Sequence, residues 1–324
     1  MAEAADPGAP HPRPRDATLS PRFAQVPTFM RLPRVEDPRR LDVAIVGVPF
    51  DGGVSNRPGA RFGPREVRSE SALCRPYNPE VGINPFDHLR VADAGDVDTN
   101  PISIEDTYER VEAHFEELLQ ADCVPIAIGG DHSIAYPILR AMARKHGPVN
   151  LVHFDSHSDL WDEYFGSRFA HGTMFRRALE DGILRSGGVL QVGIRGQLFD
   201  AGDERFGTEH GVETVRIAEA LELGPDGLSA RWQRLAGAPV YVSIDIDVVD
   251  PAFAPGTGTP AVGGFASREI LALVRRLREL PLVGADVVEV SPPYDVAGVT
   301  SYLAANLVYE LVCQLALRAR GGEG

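Results

Sequence analysis

Eight short apolar runs, separated by segments of helical period, fill the chain from residue 40 onward, and this alternation restricts the fold more than any other feature. The runs are Asp42–Val48, Leu89–Ala94, Val124–Ile128, Asn150–Phe154, Val189–Ile194, Val212–Val215, Val240–Ile244 and Leu282–Val288. Between them, Ile104–Leu119 repeats apolar residues near a 3.6 period, with Glu and Asp on the opposite face. Ile134–Lys145, Ser267–Leu280 and Tyr302–Arg318 read the same way. Strands that alternate with helices need crossover connections, so the expected fold is α/β with a mostly parallel sheet covered by helices on both faces. Eight strands fit a closed TIM barrel as well as an open sheet, and periodicity does not separate the two.

The bulk numbers agree with one globular unit. The chain has 324 residues, 44% hydrophobic and 24% charged, an ordinary composition for a folded protein. No repeat or internal linker divides it, so residues 21–324 are expected to form a single catalytic domain. Residues 1–20 (MAEAADPGAPHPRPRDATLS) hold Pro, Ala and charge without an apolar centre. They read as a flexible tail rather than a signal peptide. The net charge of -14 argues against a nucleic-acid partner. No run of eighteen or so apolar residues offers a membrane span. Cys74, Cys123 and Cys313 form no zinc or disulfide spacing, which fits a reducing, cytoplasmic setting.

Four of the apolar runs end in residues that carry chemistry, and ligands gather at the carboxyl ends of parallel strands. Gly129-Gly130-Asp131-His132-Ser133 follows the third run. Its glycines permit a tight turn, and Asp131 or Ser133 is placed to cap the next helix. Alone, His132 reads as a polar turn residue. Asp155-Ser156-His157-Ser158-Asp159 follows the fourth run. If that segment stays extended, alternate residues share a face and Asp155, His157 and Asp159 converge. His153 has the same parity and reads as a packing or supporting residue. Asp245-Ile246-Asp247 closes the seventh run, with Asp250 before Pro251 as a turn residue. Glu289 closes the eighth.

Charge arithmetic then favours metals. Asp155, Asp159, Asp245 and Asp247 bring four negative charges, and His132 and His157 two neutral donors. Two divalent cations balance that set. Six ligands with bridging carboxylates suit a pair of ions about 3.5–4 Å apart, whereas one zinc takes three or four. Oxygen and imidazole donors without thiolate point toward manganese, with nickel, cobalt and zinc as alternatives.

These residues resemble the ureohydrolase family of arginase, agmatinase and relatives. The similarity runs from about residue 20 to 318 and rests on GGDHS (129–133), DSHSD (155–159), SIDIDVVDPAFAPGTGTP (243–260) and EVSPPYD (289–295). GVPFDGGVSNRPGARFGP (47–64), RFAHGTMFRRA (168–178) and QVGIRG (191–196) look like the agmatinase branch. SPRFAQVPTFMRLP (20–33) is also similar to proclavaminate amidinohydrolase. The resemblance implies an open eight-stranded parallel sheet in one domain, two Mn2+ per chain, and a homotrimer or homohexamer. It implies His132, Asp155, His157, Asp159, Asp245 and Asp247 as metal ligands, with Asp155 and Asp245 bridging. It further implies His171 as catalytic histidine and Glu289 as the carboxylate that holds a guanidinium. Asp159 would also steer the attacking hydroxide and carry a proton to the leaving amine.

The expected reaction is hydrolysis of a linear guanidine to urea and an amine, with agmatine as the first reading. 4-Guanidinobutyrate and proclavaminate-type guanidines are the alternatives, and a deacetylase-type metal hydrolase is a more distant one. Arginase has Asn two residues beyond its DxHxD motif; Trp161 stands there in this chain, which speaks against arginine. For the substrate's far end, Asp162 and Glu163 could meet an ammonium and Arg168 a carboxylate, with Asn56 and Arg57 as another wall.

Overall fold

The structure, a computed structural model, describes residues 11–321. All eight expected strands form: β1 (Val43–Val48), β2 (Val91–Asp96), β3 (Val124–Gly129), β4 (Val149–Phe154), β5 (Leu184–Ile194), β6 (Glu213–Arg216), β7 (Val240–Asp245) and β8 (Leu282–Val288). They pair in parallel in the order β2-β1-β3-β8-β7-β4-β5-β6. β2 and β6 end that order without closing on each other, so the sheet is open and the barrel alternative falls.

Strands β1, β4 and β7 are buried at every residue, which is why they read as continuous apolar runs rather than alternating ones. Alternate residues serve two cores. Val43 and Ile45 join Val67, Trp232, Ile270 and Leu307 on one face. Ala44, Val46 and Val48 join Val111, Phe115, Ile138 and Phe175 on the other. The first face is covered by α1 (Gly63–Ser71), α6 (Ile217–Trp232), α7 (Ser267–Val274) and α8 (Val299–Gly321). The second is covered by α2 (Ile104–Gln120), α3 (Ala135–His146) and α4 (Met174–Glu180). A short α5 (Arg205–Glu209) leads into β6.

Local signals explain the boundaries. Ser103 caps α2 by accepting from the Asp106 N–H, with Glu105 and Asp106 in the positive first turn. The expected helix over 267–280 is shorter, ending at Val274 before a 3-10 turn at Leu277–Glu279. α1 starts within the Gly- and Pro-containing stretch 56–64, with Pro64 in its first turn. Of the expected tail, residues 1–10 lie outside the described residues. Residues 11–20 contact the body: the Arg15 N–H donates to the Arg31 carbonyl (3.1 Å), and Arg13 pairs with Asp87. Among the described residues, no helix is long and apolar enough to cross a membrane.

The register places the site. Ile128 is level with Val287, Val287 with Ile244, and Ile244 with Phe154. Four adjacent central strands therefore end along one line. The chemistry-bearing residues follow within a few positions of it, at the strand-end rim where open parallel sheets bind ligands.

Candidate metal centre

The turn after β3 sets the floor. A side chain at Gly130 would run into the Phe50 carbonyl, so only glycine lets the two loops approach so closely. The Asp131 carboxylate caps the next turn at the Ser133 N–H (2.9 Å) and also accepts from the Gly53 N–H (2.7 Å). Burial, followed by the nearby Glu289 charge, pushes the Asp131 carboxyl up to about 6.

His132, fully buried, emerges from this turn. Its Nε2 lies 2.7 Å from Ser243 Oγ. Ser243 in turn donates to Asp286 Oδ1 (2.7 Å), and Tyr241 donates to Asp286 Oδ2 (2.8 Å). The Ser243 proton is committed to the carboxylate, so its lone pair accepts from Nε2–H. That leaves the His132 Nδ1 lone pair facing outward, the arrangement in which an outer partner orients a metal ligand. Nδ1 lies 3.2 Å from Asp155 Oδ2, 3.0 Å from Asp159 Oδ2 and 3.3 Å from Asp245 Oδ2. It is buried with no hydrogen-bond partner.

The second half of the cluster surrounds His157. Its Nδ1 is 3.1 Å from Asp247 Oδ2 and 3.5 Å from Asp155 Oδ1. Asp155 thus offers one oxygen to each histidine. His153 supports it: the Gln191 amide donates to His153 Nδ1 (3.2 Å), and His153 Nε2 donates to Asp155 Oδ2 (2.7 Å). Gln191 is itself fixed by the Ser158 carbonyl (2.6 Å) and the Thr214 hydroxyl (3.2 Å). His153 therefore holds a carboxylate in place, as its parity suggests.

The residues converge by a route other than the extended segment expected from sequence. His157 N–H donates to Asp155 Oδ1 (2.6 Å), a tight Asx turn, and Asp159 has a left-handed φ of 53°. Asp247 stands in a 3-10 turn whose Asp247 N–H donates to Asp245 Oδ1 (2.8 Å). Glu289 is left-handed too, at φ 64°. Such conformations cost on the order of 1–3 kcal/mol and collect at functional sites. Asp250 accepts from the Ala252, Gly263 and Gly264 N–H groups (2.9, 2.6 and 3.2 Å), a turn residue as read.

Four carboxylates, two imidazoles and an orphaned lone pair fit divalent cations. Asp155, Asp159 and His132, with His153 beside them, form one metal-competent group, and Asp155, His157 and Asp247 a second. Burial, then repulsion from Asp247 and Asp155, holds the Asp245 carboxyl well above the usual carboxylate range. Cations in the cluster would relieve that repulsion.

Above the cluster, Glu289 Oε1 accepts from the His132 N–H (2.9 Å) and meets His171 Nδ1 at 3.0 Å. Its Oε2 is buried without a partner. An ideal Cβ at Gly258 would lie 3.3 Å from that oxygen and 3.3 Å from the Arg57 carbonyl. Loop 53–58 thus passes over Glu289, pinned by Asn56 Nδ2 donating to the Gly258 carbonyl (2.9 Å). Arg57 stacks 5.0 Å over the Tyr294 ring and has no ion pair among the described residues.

The sequence candidates for the substrate's far end divide. Asp162 is taken up by Arg177 (2.9 Å) and Arg176 (3.3 Å), and Arg168 by Glu180 (2.7 Å). Glu163 is exposed. Asn56 is bonded to the Gly258 carbonyl, and Arg57 lies on Tyr294 without an ion pair among the described residues. Ser55, Gln191, Ser243 and Asp286, which support the chemistry-bearing groups, were not singled out from sequence. A lone polar residue in an apolar strand, such as Asp286, is the one available signal.

The comparisons agree with this geometry. Residues 41–313 match the family model described as "Arginase family". Guanidinopropionase from Pseudomonas aeruginosa is 50% identical, covering 94% of this chain and 96% of that one. Guanidinobutyrase from the same organism is 46% identical, covering 94% and 96%. The structure of proclavaminate amidinohydrolase from Streptomyces clavuligerus superposes with a TM-score of 0.89 at 46% identity, covering 92% of this chain and all of that one.

Proposed function

From the premise that this chain belongs to the arginase family and is a hydrolase of guanidino compounds, we propose that its substrate is a linear guanidino acid, cleaved to urea and an amino acid. The observation that carries this reading is Arg57, a cation stacked on Tyr294 without an ion pair among the described residues, on the loop whose Asn56 is bonded to Gly258 beside Glu289, while Asp162 is already paired. A carboxylate at the far end of the substrate finds a partner there. The similarity to guanidinopropionase and guanidinobutyrase points the same way. Agmatine, which ends in an ammonium, is the second reading, favoured by Glu163, exposed and without an ion pair among the described residues.

His132, Asp155, His157, Asp159, Asp245 and Asp247 would hold two divalent cations, with manganese the best match to an oxygen- and imidazole-only donor set. When bound, such ions lower the pKa of water so that hydroxide is available near neutral pH. The chain's own groups do the rest. Glu289 Oε2, buried and unpartnered, fixes the guanidinium by charge-assisted hydrogen bonds. Asp159 orients the attacking oxygen, takes its proton and passes it to the leaving nitrogen, since an amine leaves poorly unless protonated. His171, joined to Glu289 at 3.0 Å, moves protons between this site and the surroundings.

Urea release from 3-guanidinopropionate, 4-guanidinobutyrate, a proclavaminate-type guanidine, agmatine and arginine, with manganese present, tests the proposal. A guanidino acid should give the highest kcat/KM. Arg57→Ala should lower kcat/KM for the acids by about 10–100-fold, the worth of one hydrogen bond to a charged group, and leave agmatine unaffected. Preference for agmatine, with Arg57→Ala neutral on the acids, would overturn it.

A further inference from the structure

His171 is bonded at both ring nitrogens, and the partners differ in kind. Nδ1 faces the Glu289 carboxylate at 3.0 Å, which can only accept. Nε2 faces the backbone N–H of Ser55 at 3.1 Å, which can only donate, and the Ser55 hydroxyl at 2.7 Å. The same loop is tied a second time, where the His171 N–H donates to the Gly53 carbonyl (2.9 Å). A proton on Nε2 would point at the Ser55 N–H. The ring therefore fits as the neutral Nδ1–H tautomer, with Nε2 as acceptor.

We infer that Ser55 is a positioning residue that fixes the tautomer and orientation of His171 through its hydroxyl and backbone N–H. The inference rests on the reading of His171 as the proton carrier, but the contact itself does not. Two influences oppose each other at this ring. Burial works against the imidazolium, yet the Glu289 carboxylate, and beyond it Asp159 and Asp131, outweigh burial and hold the imidazole up to about 9. Tyr164 packs its ring beside Gly172, the next residue along the chain. Ser55 pulls the other way, because its N–H at Nε2 pairs only with the neutral ring, and its hydroxyl is free to donate there as well. Cations neutralising Asp159 would weaken the upward pull, and Ser55 sets which nitrogen carries the proton once the ring is neutral.

The test uses chain labelled with 15N-histidine and loaded with zinc, which is diamagnetic, with the His171 signals identified by their loss in His171→Ala. In the parent protein, at a pH high enough for the ring to be neutral, Nδ1 should carry the proton and Nε2 should be bare. Ser55→Ala removes one hydrogen bond to the neutral ring, so the ring should titrate about half to one pH unit higher. With manganese, Ser55→Ala should lower kcat several-fold with little change in KM or metal content, and Ser55→Thr should restore it. A neutral ring protonated at Nε2 in the parent, an unmoved titration in Ser55→Ala, or failure of Ser55→Thr to differ from Ser55→Ala would overturn the inference. Failure of the proton-carrier reading looks different: His171→Ala would then turn over normally while the NMR result stood.

Discussion

The two histidines of the centre sit in opposite surroundings. The His132 side chain is 0% exposed and the His157 side chain 40% exposed. Behind His132 runs a buried chain of Ser243, Asp286 and Tyr241, each at 2.7–2.8 Å from the next. His157 has no such chain among the described residues: Ser156 Oγ lies 3.1 Å from Nδ1, the nitrogen that already faces the carboxylates, and gives its proton to Asp247 Oδ1 at 2.7 Å. Outer partners fix ring orientation and raise metal affinity, and burial slows exchange with water. One half of the cluster is thus locked into the sheet, and the other half lies open to the loops. The locked half should bind its cation first and release it last.

Four substitutions test that contrast. The largest effect is expected from His132→Ala. Its Nδ1 faces Asp155, Asp159 and Asp245 together, so both cations should be lost. Urea release should fall by more than the roughly 100-fold upper range for an outer partner. Elemental analysis that finds two tightly held ions in this variant would refute the assignment. Asp247→Ala comes next. It should leave one tight cation, on the His132 side, and cut turnover strongly; retention of two, or loss of both, would remove the distinction between halves. The smallest effect is expected from Ser243→Ala, which should weaken metal affinity by about 10–100-fold, measured by competition with a chelating dye. Ser156→Ala, the matching change on the open side, should weaken it less. The reverse order would show that burial does not set the hierarchy.

The same contrast explains what the sequence disclosed. The locked side is built on strands buried on both faces, and such strands read as unbroken apolar runs. Their ends, marked by His132, Asp155, Asp245 and Glu289, were therefore legible to within a residue or two. The convergence of the six expected ligands followed, although Asp159 reaches its place by a left-handed turn rather than an extended one. The open side was harder. Asp162 and Arg168 lie near DSHSD in sequence, yet their ion pairs with Arg177 and Glu180 turn them toward α4. Proximity along a loop says nothing of where its side chains point. Ser55 is 116 residues from His171, and no pattern in one sequence announces such a contact. Helix α6 was missed because Gly224, with φ 61°, and Pro225 interrupt its period.

If this cluster works as a pair of cation sites acting on a guanidine, a chain stripped of metal should regain urea release in a set pattern as manganese is added back. Activity should stay near zero through the first equivalent per chain, which fills the locked half, and rise through the second. Full activity at one equivalent, or urea release that survives complete removal of metal, would contradict the account.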